Sequence, residues 1–196
     1  MTGQLTIWDV ESGNKDNEWS CGSPVRSIDM NNDCSVVVTG TANGKACAWE
    51  TFTGMEVMTF QCHGIVYSVD LSGDGRYLMT GDQSRHAIMW DVATGCIVQK
   101  CLCSDIVKRV DLSGDNRLLA VGCGFQCELW DVESGCLIER RNSGGRVKLS
   151  SDSKYLAAAD ASGTITTRRI SDASVPSFWT EMAAADPVAL ADLAEV

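Results

Sequence analysis

Leu129-Trp130-Asp131-Val132-Glu133-Ser134-Gly135 decides the reading of this chain, because the same seven positions recur three times upstream. The earlier copies are Ile7-Trp8-Asp9-Val10-Glu11-Ser12-Gly13, Ala48-Trp49-Glu50-Thr51-Phe52-Thr53-Gly54 and Met89-Trp90-Asp91-Val92-Ala93-Thr94-Gly95. Their tryptophans stand 41, 41 and 40 residues apart. Each follows an apolar or small residue and precedes an acid. A fixed period of this length marks one supersecondary unit stacked on copies of itself, since a single unit cannot bury its apolar face alone.

A second block recurs about 20 residues before three of these tryptophans. It reads Val66-Tyr67-Ser68-Val69-Asp70-Leu71-Ser72-Gly73-Asp74 and Val107-Lys108-Arg109-Val110-Asp111-Leu112-Ser113-Gly114-Asp115. Looser copies begin at Val25 and Arg146. Between the blocks lie near-continuous apolar runs, Val36-Val37-Val38, Tyr77-Leu78-Met79 and Leu118-Leu119-Ala120-Val121, which suit strands buried on both faces. Gly73-Asp74-Gly75 and Gly114-Asp115-Asn116 are hairpin signals: Gly and Asn accept positive φ, and Asp bonds its own backbone. The pattern predicts an all-β chain with about four strands per period.

A period of this length closed by Trp-Asp resembles the WD-repeat (WD40) β-propeller family. The resemblance covers roughly residues 3–170 and implies a β-propeller, or an open propeller arc, of about four to five four-stranded antiparallel blades. Trp falls on the third strand. The chain then starts inside a third strand. Residues 25–60, 66–101 and 107–140 supply whole blades, and residues 145–168 supply three strands of another, with Arg168 in the Trp place. Residues 171–196 break the pattern; Ser174 to Trp179 is expected to add an outer strand, and a short C-terminal helix is expected after Asp186-Pro187. Four and a half repeats sit awkwardly against rings of roughly 4–8 blades. The expectation is a piece that needs missing repeats or another chain to close.

Many blades of the family carry a buried set: a His before the first strand, a Ser or Thr on the second, an Asp in the next turn, and the Trp. By this resemblance His63 takes the His place, and Thr39 and Thr80 take the hydroxyl place. The Asp place holds Asn43, Ser84, a deletion near Gly124, and Ser162, so no blade has the full set.

Composition narrows the function. The net charge of −10, from 16 basic and 26 acidic residues, repels phosphate backbones and anionic lipid, so neither nucleic acid nor membrane is expected as partner. No apolar run approaches the roughly 20 residues of a membrane span. Met1-Thr2-Gly3-Gln4-Leu5 lacks the features of a secretory signal. An intracellular protein is expected, cytoplasmic rather than nuclear. The ten cysteines include no Cys-x-x-Cys pair and are read as reduced, packed small hydrophobes.

There are two histidines, His63 and His86, and the latter is expected to be merely exposed at the start of a third strand. With no phosphate loop, metal pair or nucleophile elbow, no catalytic, cofactor or metal site is expected. Asp29, Asp70 and Asp111 form one column of first strands; bonds to neighbouring amides are the favoured reading over a cation-holding arc, with Lys148 in the equivalent place of the last repeat.

Binding remains. By resemblance, partners dock on the face made by the turns between blades and after second strands. One column there reads Arg26, Tyr67, Lys108 and Gly145, and the next Ser27, Ser68, Arg109 and Arg146; Arg85 and Phe125 lie in turns of the same face. Arg and Tyr are typical interface anchors, and Arg pairs with carboxylate or phosphate. The expected function is a non-catalytic scaffold that binds a protein or peptide, acidic or phosphorylated. The alternative is a passive structural part of a larger WD-repeat assembly. Family members that act as ubiquitin-ligase substrate receptors carry an Arg two residues after Trp-Asp. Glu11, Ala93 and Glu133 stand there in this chain.

Overall fold

A computed structural model describes residues 3–142, 144–160 and 162–170. Every regular element in them is a strand. β1 (Gln4–Trp8) and β2 (Lys15–Ser20) pair as a half-blade. Three four-stranded antiparallel sheets follow. Blade I is β3 (Val25–Met30), β4 (Val36–Thr41), β5 (Lys45–Glu50) and β6 (Glu56–Gln61). Blade II is β7 (Val66–Leu71), β8 (Tyr77–Asp82), β9 (His86–Asp91) and β10 (Ile97–Leu102). Blade III is β11 (Val107–Leu112), β12 (Leu118–Cys123), β13 (Gln126–Asp131) and β14 (Leu137–Arg141). Blade IV has three strands, β15 (Arg146–Leu149), β16 (Tyr155–Ala159) and β17 (Ile165–Arg169). The expected outer strand and C-terminal helix lie outside the described residues.

The turns follow from the repeated motifs. In Trp-Asp-x-x-(Ser/Thr)-Gly, the Asp caps the turn after the third strand: Asp91 Oδ1 accepts from the Thr94 N–H and hydroxyl, both at 2.9 Å. The closing Gly95 sits at φ 70°, a left-handed position that glycine adopts without steric cost. In Ser-Gly-Asp, the Ser72 hydroxyl donates to Asp74 Oδ1 at 2.6 Å and accepts from the Tyr77 N–H at 2.8 Å, which folds the first hairpin of blade II.

Packing is blade against blade. Val38, Ala46, Ala48 and Phe60 of blade I bury against Val66, Val69, Leu78, Ile88 and Trp90 of blade II. Met79, Ala87, Met89 and Cys101 repeat this against Val107, Val110, Leu119, Val121 and Trp130. The apolar runs are buried on both faces because each middle strand has a blade on either side. Gly81 marks how close the sheets come: a Cβ there would lie 2.4 Å from Val107 Cγ1. Burial at about 25 cal/mol per Å² of apolar surface is the main stabilising contribution of these seams.

The first strands β3, β7, β11 and β15 run side by side along one margin. The arc is open: β1–β2 packs on blade I through Leu5, Trp19, Val37 and Trp49, and among the described residues the other end does not return to it. Trp8, with no first or second strand behind it, is 59% exposed. β17 is exposed along its length.

Candidate functional site

Beneath the loop face, each full blade holds a buried polar set around its Trp. In blade I the Trp49 indole N–H donates to Thr39 Oγ1 at 2.9 Å. In blade II Trp90 donates to Thr80 Oγ1 at 2.9 Å, and Cys62 Sγ lies 3.7 Å from that oxygen. Burial pushes the Cys62 thiol up to about 11, so it stays protonated. The set is therefore continued by Cys62, not His63. The reason is register: Cys62 stands four residues before Val66, as Cys21 does before Val25.

Blade III departs. Val121 takes the place of Thr80, and the Trp130 N–H donates instead to Glu128 Oε2 at 3.2 Å. Glu128 is fully buried; its Oε1 accepts from Arg140 Nε at 3.0 Å and from the Ser104 N–H at 3.2 Å.

His63 lies instead in a second cluster. Asp82, the last residue of β8, is 1% exposed. Its Oδ1 accepts from the N–H groups of Ser84 and His86, both at 2.9 Å, and its Oδ2 from the His63 N–H at 3.2 Å. Both imidazoles face Oδ2, His86 Nδ1 at 3.7 Å and His63 Nδ1 at 4.0 Å, with ring centroids 4.6 Å apart. The expectation that His86 is merely exposed is corrected: strand pairing of β9 with β8 draws its side chain against Asp82. Burial, helped by the charge of Lys100, pulls His86 below the usual imidazole range. Asp82, two residues before the place searched for an acid, was missed in the sequence. An acid four residues before His86, just ahead of the turn, was its available signal.

The aspartate column forms latches between blades. Asp29 Oδ2 accepts from the Leu71 N–H, and Asp70 Oδ2 from the Leu112 N–H, each at 2.7 Å. Asp111 takes the Leu149 N–H and pairs with the Lys148 ammonium. Ser27 and Ser68 act alike, accepting from the Val69 and Val110 N–H groups at 3.1 and 3.2 Å. Burial, reinforced by the carboxylates of Asp111 and Asp29, pushes the Asp70 carboxyl up to about 7 against the opposing bond from Leu112.

The residues selected for binding are placed as follows. The ladders of β3, β7 and β11 each slip between their first and third residues, Val25/Ser27, Val66/Ser68 and Val107/Arg109. Arg26, Tyr67 and Lys108 are the extra residues of these bulges, a device that re-aims a side chain. Arg26, Lys108, Arg109 and Arg146 are exposed and Tyr67 half-exposed. Arg85, at φ 69°, and the 79% exposed Phe125 project from the turns after β8 and β12.

Residues 54–91 match the family model described as WD domain, G-beta repeat. The match spans the last strand of blade I and the first three of blade II, and the flanking sheets repeat the same plan. This stretch is similar to one WD repeat, and the rest of the described chain repeats its all-β plan. No curated protein matches it. WD domains serve in general as scaffolds for protein interaction, and the match suggests that general role here.

Proposed function

We propose that the loop face of blades I to IV takes an acidic or phosphorylated segment of a partner protein. The observation that carries this reading is the repeated bulge. Three consecutive blades lift Arg26, Tyr67 and Lys108 out of the ladder at equivalent places, and Arg146 stands nearby in the fourth sequence copy. Arg85, Arg109 and Phe125 add charge and an aromatic surface to a chain of net charge −10, so the face differs in sign from the bulk of the protein. Such complementarity steers an anionic partner and sets its register. An intracellular, chiefly cytoplasmic setting belongs to the proposal, supported by ten unpaired thiols.

The open sheets among the described residues favour a second reading, a structural part of a larger assembly. β1–β2 lacks two strands, and Ile165 on β17 is 71% exposed. One experiment separates the two. Acidic and phosphorylated peptides arrayed beside basic ones are probed with wild type and with R26E/K108E/R146E. Anionic peptides are expected to bind wild type, and the variant at least roughly tenfold more weakly, one decade being about 1.4 kcal/mol. Equal binding by both proteins would leave the assembly reading.

A further inference from the structure

We propose that His63, Asp82 and His86 bind a divalent transition-metal ion of the zinc type at the loop face of blade II. Two imidazoles and one carboxylate offer donor atoms that all lie within 4.8 Å of one another. Ligands around a tetrahedral zinc ion sit roughly 3.3 Å apart, as bond lengths near 2.0–2.1 Å require. The observed 3.7 and 4.0 Å from the imidazoles to Asp82 Oδ2 need only a small inward rotation. His63, with half its side chain exposed, is free to make it.

The surrounding bonds orient the donors as outer-shell partners do in metal sites. Two backbone N–H groups hold Oδ1 of Asp82, which leaves Oδ2 turned to the imidazoles with one amide bond. His86 Nδ1 is buried and has no hydrogen-bond partner. A buried polar atom without a partner is costly, and a cation at this point would complete its coordination. Nitrogen-rich sets with one carboxylate suit zinc and its neighbours rather than calcium or magnesium.

The neighbouring blades supply an independent argument. Strand register makes Thr41, Asp82 and Cys123 equivalent, each opposite the first residue of its blade. Gly22 and Ser104 correspond to His63, and Lys45 and Gln126 to His86. In blade III these places form a neutral group, with the Ser104 hydroxyl donating to Gln126 Oε1 at 2.7 Å. The fold therefore does not require two histidines and an acid here. Among the described residues blade II alone gathers them, and the half-exposed side of His63 leaves room for further ligands.

The test uses the whole chain, reduced and stripped of metal with a chelator. Zn²⁺ is titrated calorimetrically, and Co²⁺ by visible absorption with imidazole NMR of the two histidines. One equivalent is expected, with both imidazoles shifted and no sulfur-to-metal charge-transfer band from the thiols. His63→Ala, at an exposed position, and His86→Gln should each weaken binding by at least the roughly 10–100-fold that even an outer-shell change costs. Absence of binding below millimolar Zn²⁺ would overturn the proposal. So would thiolate bands alone, or affinity unchanged in folded His63→Ala.

Discussion

Blades II and III reach the same fold with different buried chemistry. In blade II a neutral hydroxyl, Thr80, receives the Trp90 indole. In blade III the hydroxyl is gone, replaced by Val121, and a carboxylate from the Trp's own strand receives Trp130. Glu128 stands two residues before Trp130, where Cys47 and Ile88 stand in the other blades. What the architecture demands is an acceptor for the buried indole N–H, not a particular residue. Changing the acceptor to a charge has consequences: Glu128 needs a cation, and Arg140 on β14 supplies it. One lost hydroxyl is thus linked to three residues on three segments.

The largest effect should come from breaking that network. Glu128→Ala leaves the indole, the Ser104 amide and the Arg140 charge without their partner. Breaking a buried pair in this way costs about 3–5 kcal/mol, although Arg140 retains some solvent and places the effect at the lower end. Thr80→Val orphans a single indole N–H in blade II and should cost about 1–3 kcal/mol. Urea unfolding of both variants measures the difference. Transplanting the blade II set into blade III, as Val121→Thr with Glu128→Ile, should recover most of the loss. If Glu128→Ala is no worse than Thr80→Val, the two blades do not differ as described.

How much of this was legible in the sequence follows from the same comparison. The tryptophan period and the Ser-Gly-Asp turns encode strand order through local backbone chemistry, so the succession of blades could be read directly, but only as a propeller or an open arc. Thr39 and Thr80 were found because they sit ten residues before their Trp, two strands being short and regular. Glu128 was not, because an acid in an apolar column has no meaning until its cation, twelve residues on, is seen beside it. Cys21, Cys62 and Cys103 recur every 41 residues, and that spacing was available to displace His63 from the buried set. The metal-type cluster joins residues 63, 82 and 86 across two strands and a loop, a proximity only pairing register reveals.

A middle-sized effect concerns the seam between the same two blades. The Asp70 carboxyl rests at about 7 in the folded chain, above the unfolded carboxyl range near 3.9. The folded state then binds more protons than the unfolded one between these limits. This contribution to stability is therefore present at low pH and is lost as pH rises from about 4 to about 7. Asp70→Asn keeps an acceptor for the Leu112 N–H and removes the titration. The stability of wild type minus that of Asp70→Asn should fall across this window by about 2 kcal/mol, below the full linkage value because Asp70 keeps some contact with solvent. Chemical denaturation at pH 4.5, 6 and 7.5 gives the slope. A flat difference would mean that Asp70 is ionised in the latch throughout.

The smallest effect is expected where the blade pattern runs out. Arg168 occupies the Trp place in blade IV, yet β17 is exposed and the guanidinium contacts Glu139 of blade III across the surface. Arg168 is half exposed, and Glu139 also receives Arg141. Exposed pairs of this kind contribute about 0–1 kcal/mol, because water screens the attraction and two long side chains lose freedom in forming it. Arg168→Ala should thus shift the urea midpoint slightly, by less than about 0.5 kcal/mol, while Trp90→Ala in the equivalent place should cost several. A loss above about 1.5 kcal/mol for Arg168→Ala would show that the last seam is held by this ion pair and not by Leu149, Leu156 and Ala158 packing on blade III. The position that is a buried anchor in three blades would then be an electrostatic one in the fourth.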